Sequence, residues 1–517
     1  MRLAVTALES MARNRARYPM LRKVTLCVSM ACTLPALALD GDIVIHDPST
    51  VIQDGEDFYT YGTGNGMPIL SSADGWTWHR AGSLMSAVPA GKPGPDVLAK
   101  GGNNTWAPDV IHVGDKFFVY YAAPGTQPKS AIGLLVGRRL DPQSPDYHWE
   151  DAGPVVWSDG IEDSNAIDPG VLLDPDGRLW LTYGSYFGFI RLVELDPKTG
   201  LRRFPDRKPT DIAINSEASI LIHHDDWYYL LVTHGSCCQG ANSTYNIRMG
   251  RARKVTGPYL DNMGVDMIEG GGKLFAAARG RHVGPGHFGR FDFGDGVEKF
   301  SLHYEADLDR GGISVLDIRP LLWRDGWPVA GDNPTTGTYG IESVRTGTVL
   351  ELAVQGSPVG GFRARRPPAP GGGPPSEPQA GPPIADQEPA QVSAGWLAAS
   401  DVRLAPAMLQ AQQKWLIAPA PAGGGYPGAP YFRISIAGTE RSLTAVAGGE
   451  LAATAFTGAP EQLWRIDQLT DGTWRIAPKA VPGSTDTLVL SAVGSSKATL
   501  AKFDPASNRQ RWKLGAP

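Results

Sequence analysis

The sequence predicts an all-β protein, a five-bladed β-propeller followed by a β-trefoil, and three observations carry that expectation. A unit made of a short apolar strand, a tight turn and an aromatic strand recurs five times up to about residue 310. Repeats of this length built from several short strands are the mark of propeller blades. Three Gln-x-Trp tripeptides, Gln413-Lys414-Trp415, Gln462-Leu463-Trp464 and Gln510-Arg511-Trp512, follow at spacings of 49 and 48 residues, as the three units of a trefoil would. The 63 Gly, 43 Pro and 14 Trp in 517 residues describe a turn-rich, aromatic-rich chain and not a helical one.

The N-terminal element reads as an export signal. Arg22 and Lys23 precede an apolar run from Val24 to Leu39, and Ala36-Leu37-Ala38 supplies a small-x-small cleavage pattern. The run is about 16 residues, short of the roughly 20 that a membrane span requires. Residues 1–38 are therefore expected to be removed, with 1–19 either an upstream extension or a misplaced start, and a secreted or periplasmic protein to begin at Leu39. Cys27 and Cys32 leave with that segment, and the adjacent Cys237 and Cys238 remain, either as a vicinal disulfide or as two packed thiols. A formal charge of −5 with no basic stripe excludes a nucleic-acid partner. No membrane partner is implied, and a monomer is expected.

The propeller is assigned to residues 39–332. Its blades open at His46-Asp47-Pro48-Ser49, Trp106-Ala107-Pro108-Asp109, Ile167-Asp168-Pro169-Gly170, Ser216-Glu217-Ala218-Ser219 and Gly284-Pro285-Gly286-His287. Each opening leads through a turn with hairpin chemistry into an aromatic strand such as FYTYGTG or FSLHYEA. Residues at one repeat position converge on the axis of a propeller. Asp47, Asp109, Asp168, Glu217 and His287 are accordingly expected to face one funnel, with Asp109 tying neighbouring blades together.

The trefoil is assigned to residues 337–517, its units opening at Tyr339-Gly340-Ile341, Phe432-Arg433-Ile434 and Trp474-Arg475-Ile476. It resembles the ricin-type lectin family. The Pro/Gly-rich stretch 363–390 falls inside the first unit as an insertion. That resemblance implies an Asp after the Leu that follows each first turn, but Glu351, Thr444 and Val489 stand there. The Asn expected before each Gln is likewise replaced by Gln412, Glu461 and Arg509. Weak sugar binding, at a single site at most, is the expectation.

Carboxylates converging from several blades suit glycoside hydrolysis, in which one acid protonates the leaving oxygen while another activates water. A third carboxylate nearby keeps the acid protonated by like-charge repulsion. The ordered set of blade openings resembles glycoside hydrolase family 43. Tyr183-Gly184-Ser185-Tyr186, His234-Gly235-Ser236-Cys237-Cys238 and Gly284-Pro285-Gly286-His287 resemble its arabinanase branch, and the likeness runs from about residue 43 to 332. It implies Asp47 as general base, Glu217 as general acid and Asp168 as the residue that tunes the acid. It further implies Trp106, Asn165, Ile167, Ser185 and His234 along the sugar site, and a largely hydrated calcium ion beside His287. The expected activity is endo-cleavage of α-1,5-linked L-arabinan with inversion. The alternatives are an exo-arabinanase, an α-L-arabinofuranosidase, a β-xylosidase or a non-catalytic carbohydrate-binding protein.

Overall fold

The computed structural model describes residues 39–161, 164–292, 294–354 and 401–516. The export segment and the Pro/Gly-rich stretch 363–390 lie outside the described residues. Among those described, no helix is long and apolar enough to cross a membrane.

Five antiparallel sheets form the propeller, each running outward from its inner strand. Blade one comprises Ile52–Asp54, Asp57–Tyr61, Pro68–Ser72 and Thr77–Ser83, with Asp40–Gly41 added in parallel at its outer edge. The inner strands of blades two to five are Trp106–Val113, Gly170–Leu173, Glu217–His224 and His282–Asp292. The innermost hairpins turn where short polar loops permit, as at Gly55 and Gly114, both with φ of +65°. Aromatic side chains fill the spaces between blades: Trp78, Tyr120, Tyr229, Tyr304 and Phe118 are fully buried.

One irregularity recurs in every blade. His46 pairs with Thr63 and Ser49 with Tyr61; Ile167 pairs with Gly184 and Gly170 with Thr182. The register shifts by one residue in the same way between Trp106 and Asp109, Glu217 and Ile220, and Gly286 and Gly289. Each inner strand thus carries a one-residue bulge whose first residue is left-handed: Asp47 (φ 50°), Ala107 (36°), Asp168 (55°), Ala218 (48°) and His287 (52°). In four blades a side chain of the preceding blade accepts the freed N–H. Asp47 N donates to His303 Nδ1 at 2.8 Å, Ala107 N to Thr63 Oγ1 at 2.8 Å, Ala218 N to Asp168 Oδ2 at 3.1 Å and His287 N to Thr233 Oγ1 at 3.1 Å.

This register corrects the expected set of converging residues. Asp109 lies two positions past the bulge residue of its blade, Ala107. Its carboxylate is buried between blades, accepting from Thr50 N at 3.1 Å and Val171 N at 2.9 Å, and it does not face the funnel. At the corresponding place in blade three the inner strands approach so closely that a Cβ on Gly170 would lie 2.0 Å from the Ser219 carbonyl oxygen.

The ring closes between blades one and five, where Leu316 N donates to Ile43 O at 2.9 Å and Ile45 N to Ser314 O at 3.3 Å. The second module is a β-trefoil. Gly337–Ser343, Trp415–Pro419, Phe432–Ile436, Trp464–Gln468, Trp474–Pro478 and Trp512–Gly515 close into a six-stranded barrel. Three hairpins complete it, and the first pairs Val349–Leu352 with Val402–Ala405 across the inserted segment. The three Gln-x-Trp indoles are fully buried and donate to the carbonyls of Leu350, Leu443 and Leu490 at 2.9, 2.9 and 3.0 Å. That symmetry moves the third position from Val489 to Ser491. Glu351, in the first, is buried and already engaged by Arg403 and by Gln413 Nε2, both at 2.8 Å.

A short trefoil hairpin, Gly425–Tyr426 with Ala429–Pro430, grips both sides of the ring closure. Gly425 N donates to Asp74 Oδ2 at 3.0 Å and Gly428 N to Gly75 O at 3.1 Å in blade one. From blade five, Lys299 Nζ donates to Pro427 O at 2.7 Å and Asn333 Nδ2 to Gly428 O at 2.8 Å. Lys299 is buried and also lies 3.5 Å from Asp467 of the trefoil. Replacing Lys299 by Met leaves a buried carbonyl without its donor, an expected loss of about 1–3 kcal/mol. Thermal unfolding of the Lys299→Met variant is expected several degrees below the parent.

Candidate active site

The bulges deliver their side chains into a cavity of about 520 Å³ at one end of the propeller channel, lined by Asp47, Trp106, Ile167, Asp168, Glu217 and His287 among others. A second cavity of about 480 Å³, further along the same inner strands, is walled mainly by apolar residues such as Ile52, Val110, Leu172 and Phe291 and holds none of these carboxylates. The chemistry therefore belongs to the first.

Asp47 is surrounded by donors and positive charge. Thr63 Oγ1 donates to its Oδ2 at 2.6 Å, His46 Nδ1 lies 2.8 Å from the same oxygen, and His287 Nδ1 lies 2.9 Å from Oδ1. Burial would raise this carboxyl, but His287 and His46 outweigh it and hold Asp47 well below the usual carboxylate range. Burial would likewise lower His46, yet Asp47 and Glu305 on its two sides push it up to about 10. Asp47 is thus held toward its carboxylate form.

The opposite holds for the other two acids. Burial, together with the Glu217 and Asp47 charges and against the pull of His287, pushes Asp168 up to about 8. Burial raises Glu217 as well, against the hydrogen bond that Tyr245 Oη donates to its Oε1. The two titrate as a pair, so at neutral pH the pair retains a proton. Asp168 Oδ2 also accepts the amide of Ala218, the residue after Glu217, and so anchors the bulge that presents Glu217.

The structure divides the remaining expected residues. Trp106, Ile167 and His287 line the cavity. Asn165 and Ser185 do not: both are buried behind the wall, where Asn165 Nδ2 donates to Ser185 Oγ at 3.1 Å and Asn165 Oδ1 accepts from Ser130 Oγ at 2.7 Å. These bonds tie Asn165 to the segments carrying Ser130 and Ser185, beside the loop that bears Ile167. His234 ends its strand, Trp227–His234, half-buried and outside the cavity lining. Cys237 and Cys238 form a disulfide, and both line the cavity.

Four contributors were not singled out from the sequence. Thr63, Tyr245, His303 and Glu305 sit on second or third strands or the loops beside them, away from the repeated openings. A signal existed for two of them. His303 and Glu305 are ionisable residues two apart, hence on one face, flanking Tyr304 in the middle of the aromatic strand Glu298–Asp307.

A buried trio of carboxylates, one held ionised and two held up, at the axis of a five-bladed propeller defines a glycosidase. The chain belongs to the glycosyl hydrolases family 43, whose family model matches residues 43–328. It is 33% identical over 321 residues to the extracellular exo-α-(1→5)-L-arabinofuranosidase of Cellvibrio japonicus, covering 59% of this chain and 89% of that one. It is 34% identical over 295 residues to the extracellular endo-α-(1→5)-L-arabinanase 1 of Bacillus subtilis, covering 55% and 87%. The solved structure of the Cellvibrio cellulosa α-L-arabinanase complexed with arabinohexaose matches with a TM-score of 0.52 and 31% identity, covering 56% of this chain and 95% of that one.

A carboxyl whose folded pKa is raised contributes stability that is complete below its unfolded value and lost as pH climbs through the folded one. Asp168 therefore costs the fold stability between about pH 4 and its folded value near 8. Asp168→Asn, which still offers an oxygen to Ala218 N, is expected to raise the melting temperature by several degrees at pH 8 and by little at pH 4. Paired thermal scans at the two values measure it; equal shifts at both would contradict the assignment.

Proposed function

We propose that this enzyme hydrolyses α-1,5-linked L-arabinan from within the chain, with inversion at the anomeric carbon. The observation that carries the reading is the opposed ionisation of the acids in one cavity. Asp47 is held as a carboxylate that can take a proton from water, while Asp168 and Glu217 are both pushed up and hold a proton between them that Glu217 can give to the departing sugar oxygen. Asp168 shares that proton, because two charges so close cannot both form, and it anchors the bulge beside Glu217, so the acid keeps its direction. Water attacks the anomeric carbon as the glycosidic bond breaks; its proton passes to Asp47 and that of Glu217 leaves with the sugar.

The substrate rests on relatives. The arabinanases and arabinofuranosidase to which the chain is similar carry α-1,5-arabinan specificity in their names, and one was solved with arabinohexaose. The endo reading follows the Bacillus subtilis enzyme, and exo-cleavage is the second reading, favoured by the likeness to the Cellvibrio japonicus enzyme. Two of these relatives are named extracellular, which supports export of this chain with removal of residues 1–38. Trp106 and Ile167 are assigned to sugar contact.

A calcium ion fits beside His287. Nδ1 of that half-buried ring faces Asp47, but its Nε2 lacks a hydrogen-bond partner and is free to ligate, and water would complete the oxygen shell that calcium prefers. Such an ion would add positive charge next to the catalytic carboxylates. The trefoil is assigned the weaker role that its ricin-type likeness leaves. With Glu351 engaged internally and Thr444 and Ser491 at the matching positions, it is a packing partner of the propeller with little sugar affinity.

Glu217→Gln and Asp47→Asn are each expected to cost about three orders of magnitude or more in kcat with the fold intact. Chromatography of early products from linear arabinan separates the two cleavage modes: mixed oligosaccharides mark endo-cleavage, and a single short product marks exo-cleavage. NMR of the first-formed anomer tests inversion, and a retained anomer or near-normal activity in Glu217→Gln would overturn the mechanism.

A further inference from the structure

His46 is held from two sides, and only one of them belongs to the catalytic trio. Its Nδ1 faces Asp47 Oδ2 at 2.8 Å, and its Nε2 meets Glu305 Oε1 at 2.9 Å. Glu305 is 4% exposed, and its other oxygen, Oε2, accepts the backbone amide of Cys238 at 3.0 Å. That amide belongs to the disulfide-bonded pair lining the cavity. His303 adds a third contact, its Nε2 lying 3.4 Å from Oε1 while its Nδ1 accepts the Asp47 amide. That accepted bond requires the Nε2–H tautomer, so His303 Nε2 faces Glu305 as a donor and is not free for a metal.

We propose that Glu305 is a positioning residue of the reaction, fixing the His46 ring so that it locks Asp47 while anchoring the Cys237–Cys238 loop against the same cavity. The proposal rests on the reading of Asp47 as general base. Two donors, His46 Nε2–H and Cys238 N–H, point at two different oxygens of one side chain. Only a carboxylate accepts at both, because an amide of the same shape must turn its NH₂ toward one of them. With His46 held, Asp47 Oδ2 is occupied by His46 and Thr63, which fixes the rotation of the carboxylate and hence the position of Oδ1. Releasing the ring leaves Asp47 to Thr63 and His287 alone and loosens that rotation, without removing any group that takes or gives a proton. The defect belongs in kcat, since a base displaced by a fraction of an ångström still permits sugar binding.

The test compares Glu305→Gln, His46→Gln, the double variant and Asp47→Asn on arabino-oligosaccharides, and on an oligosaccharide with a nitrophenyl leaving group. Glu305→Gln is expected to lower kcat roughly 10- to 100-fold on both substrates with KM within about twofold. The double variant is expected to be slower than His46→Gln alone by much less than the Glu305→Gln factor, because Glu305 acts on the base through that ring. Unchanged kcat, a loss confined to KM, multiplying effects in the double variant, or recovery with the activated leaving group would each overturn the proposal. Recovery would place Glu305 on the acid half of the site. If Glu305→Gln does not fold, normal kcat in His46→Gln overturns the proposal unaided, and a loss there with the same KM and leaving-group pattern sustains it. Activity retained in Asp47→Asn would instead sink the base assignment on which the proposal stands.

Discussion

Each inner strand breaks its ladder at the same point, and the catalytic cavity depends on that break. A left-handed conformation costs a non-glycine residue about 1 kcal/mol or more. Here five residues adopt it, and none of them is glycine. What offsets the cost is visible in the neighbouring blades, where His303, Thr63, Asp168 and Thr233 accept the freed amides. The bulge is thus both the joint between blades and the device that delivers a side chain to the cavity. Asp47, Asp168 and His287 occupy it directly, Glu217 stands one residue before it, and the alanines at 107 and 218 carry no functional group there.

The electrostatics follow from which donors each carboxylate meets. Asp47 lies among Thr63 and two imidazoles, whereas Asp168 and Glu217 share a region with a backbone amide and one phenol. Buried alone, all three would be pushed toward neutrality. The difference arises because His46 and His287 both contact Asp47, and because Glu305 closes the far side of His46. Three carboxyls of nearly equal intrinsic acidity are in this way divided into one base and a proton-holding pair.

Much of this was legible in the sequence. Five aromatic strands after five polar openings identify the blades, and three Gln-x-Trp tripeptides identify the barrel. The register was harder to read. Alignment by acidic residues placed Asp109 and Glu217 level with Asp47, whereas the bulge places Ala107 and Ala218 there. The Pro that follows Asp47, Ala107 and Asp168 was the better guide, since it marks the residue after each left-handed position. The trefoil slipped in the same way, by two residues, because Leu488 and Leu490 are interchangeable in an alternating strand. Glu305 and Tyr245 were out of reach for a different reason: their roles arise from pairings between blades.

The hairpin at residues 425–430 has a consequence for how the molecule is made. A propeller is a ring assembled from a linear chain, and this ring is sealed where its first blade meets its last. The segment that grips both lips of the seal lies about a hundred residues downstream, beyond the insertion and just ahead of the strand that opens the second of the trefoil's three units. During synthesis the blades emerge well before it, so the nascent propeller must hold its seam by strand pairing alone until the trefoil arrives. The trefoil is made after the propeller, and it completes the enclosure of the part that carries the chemistry.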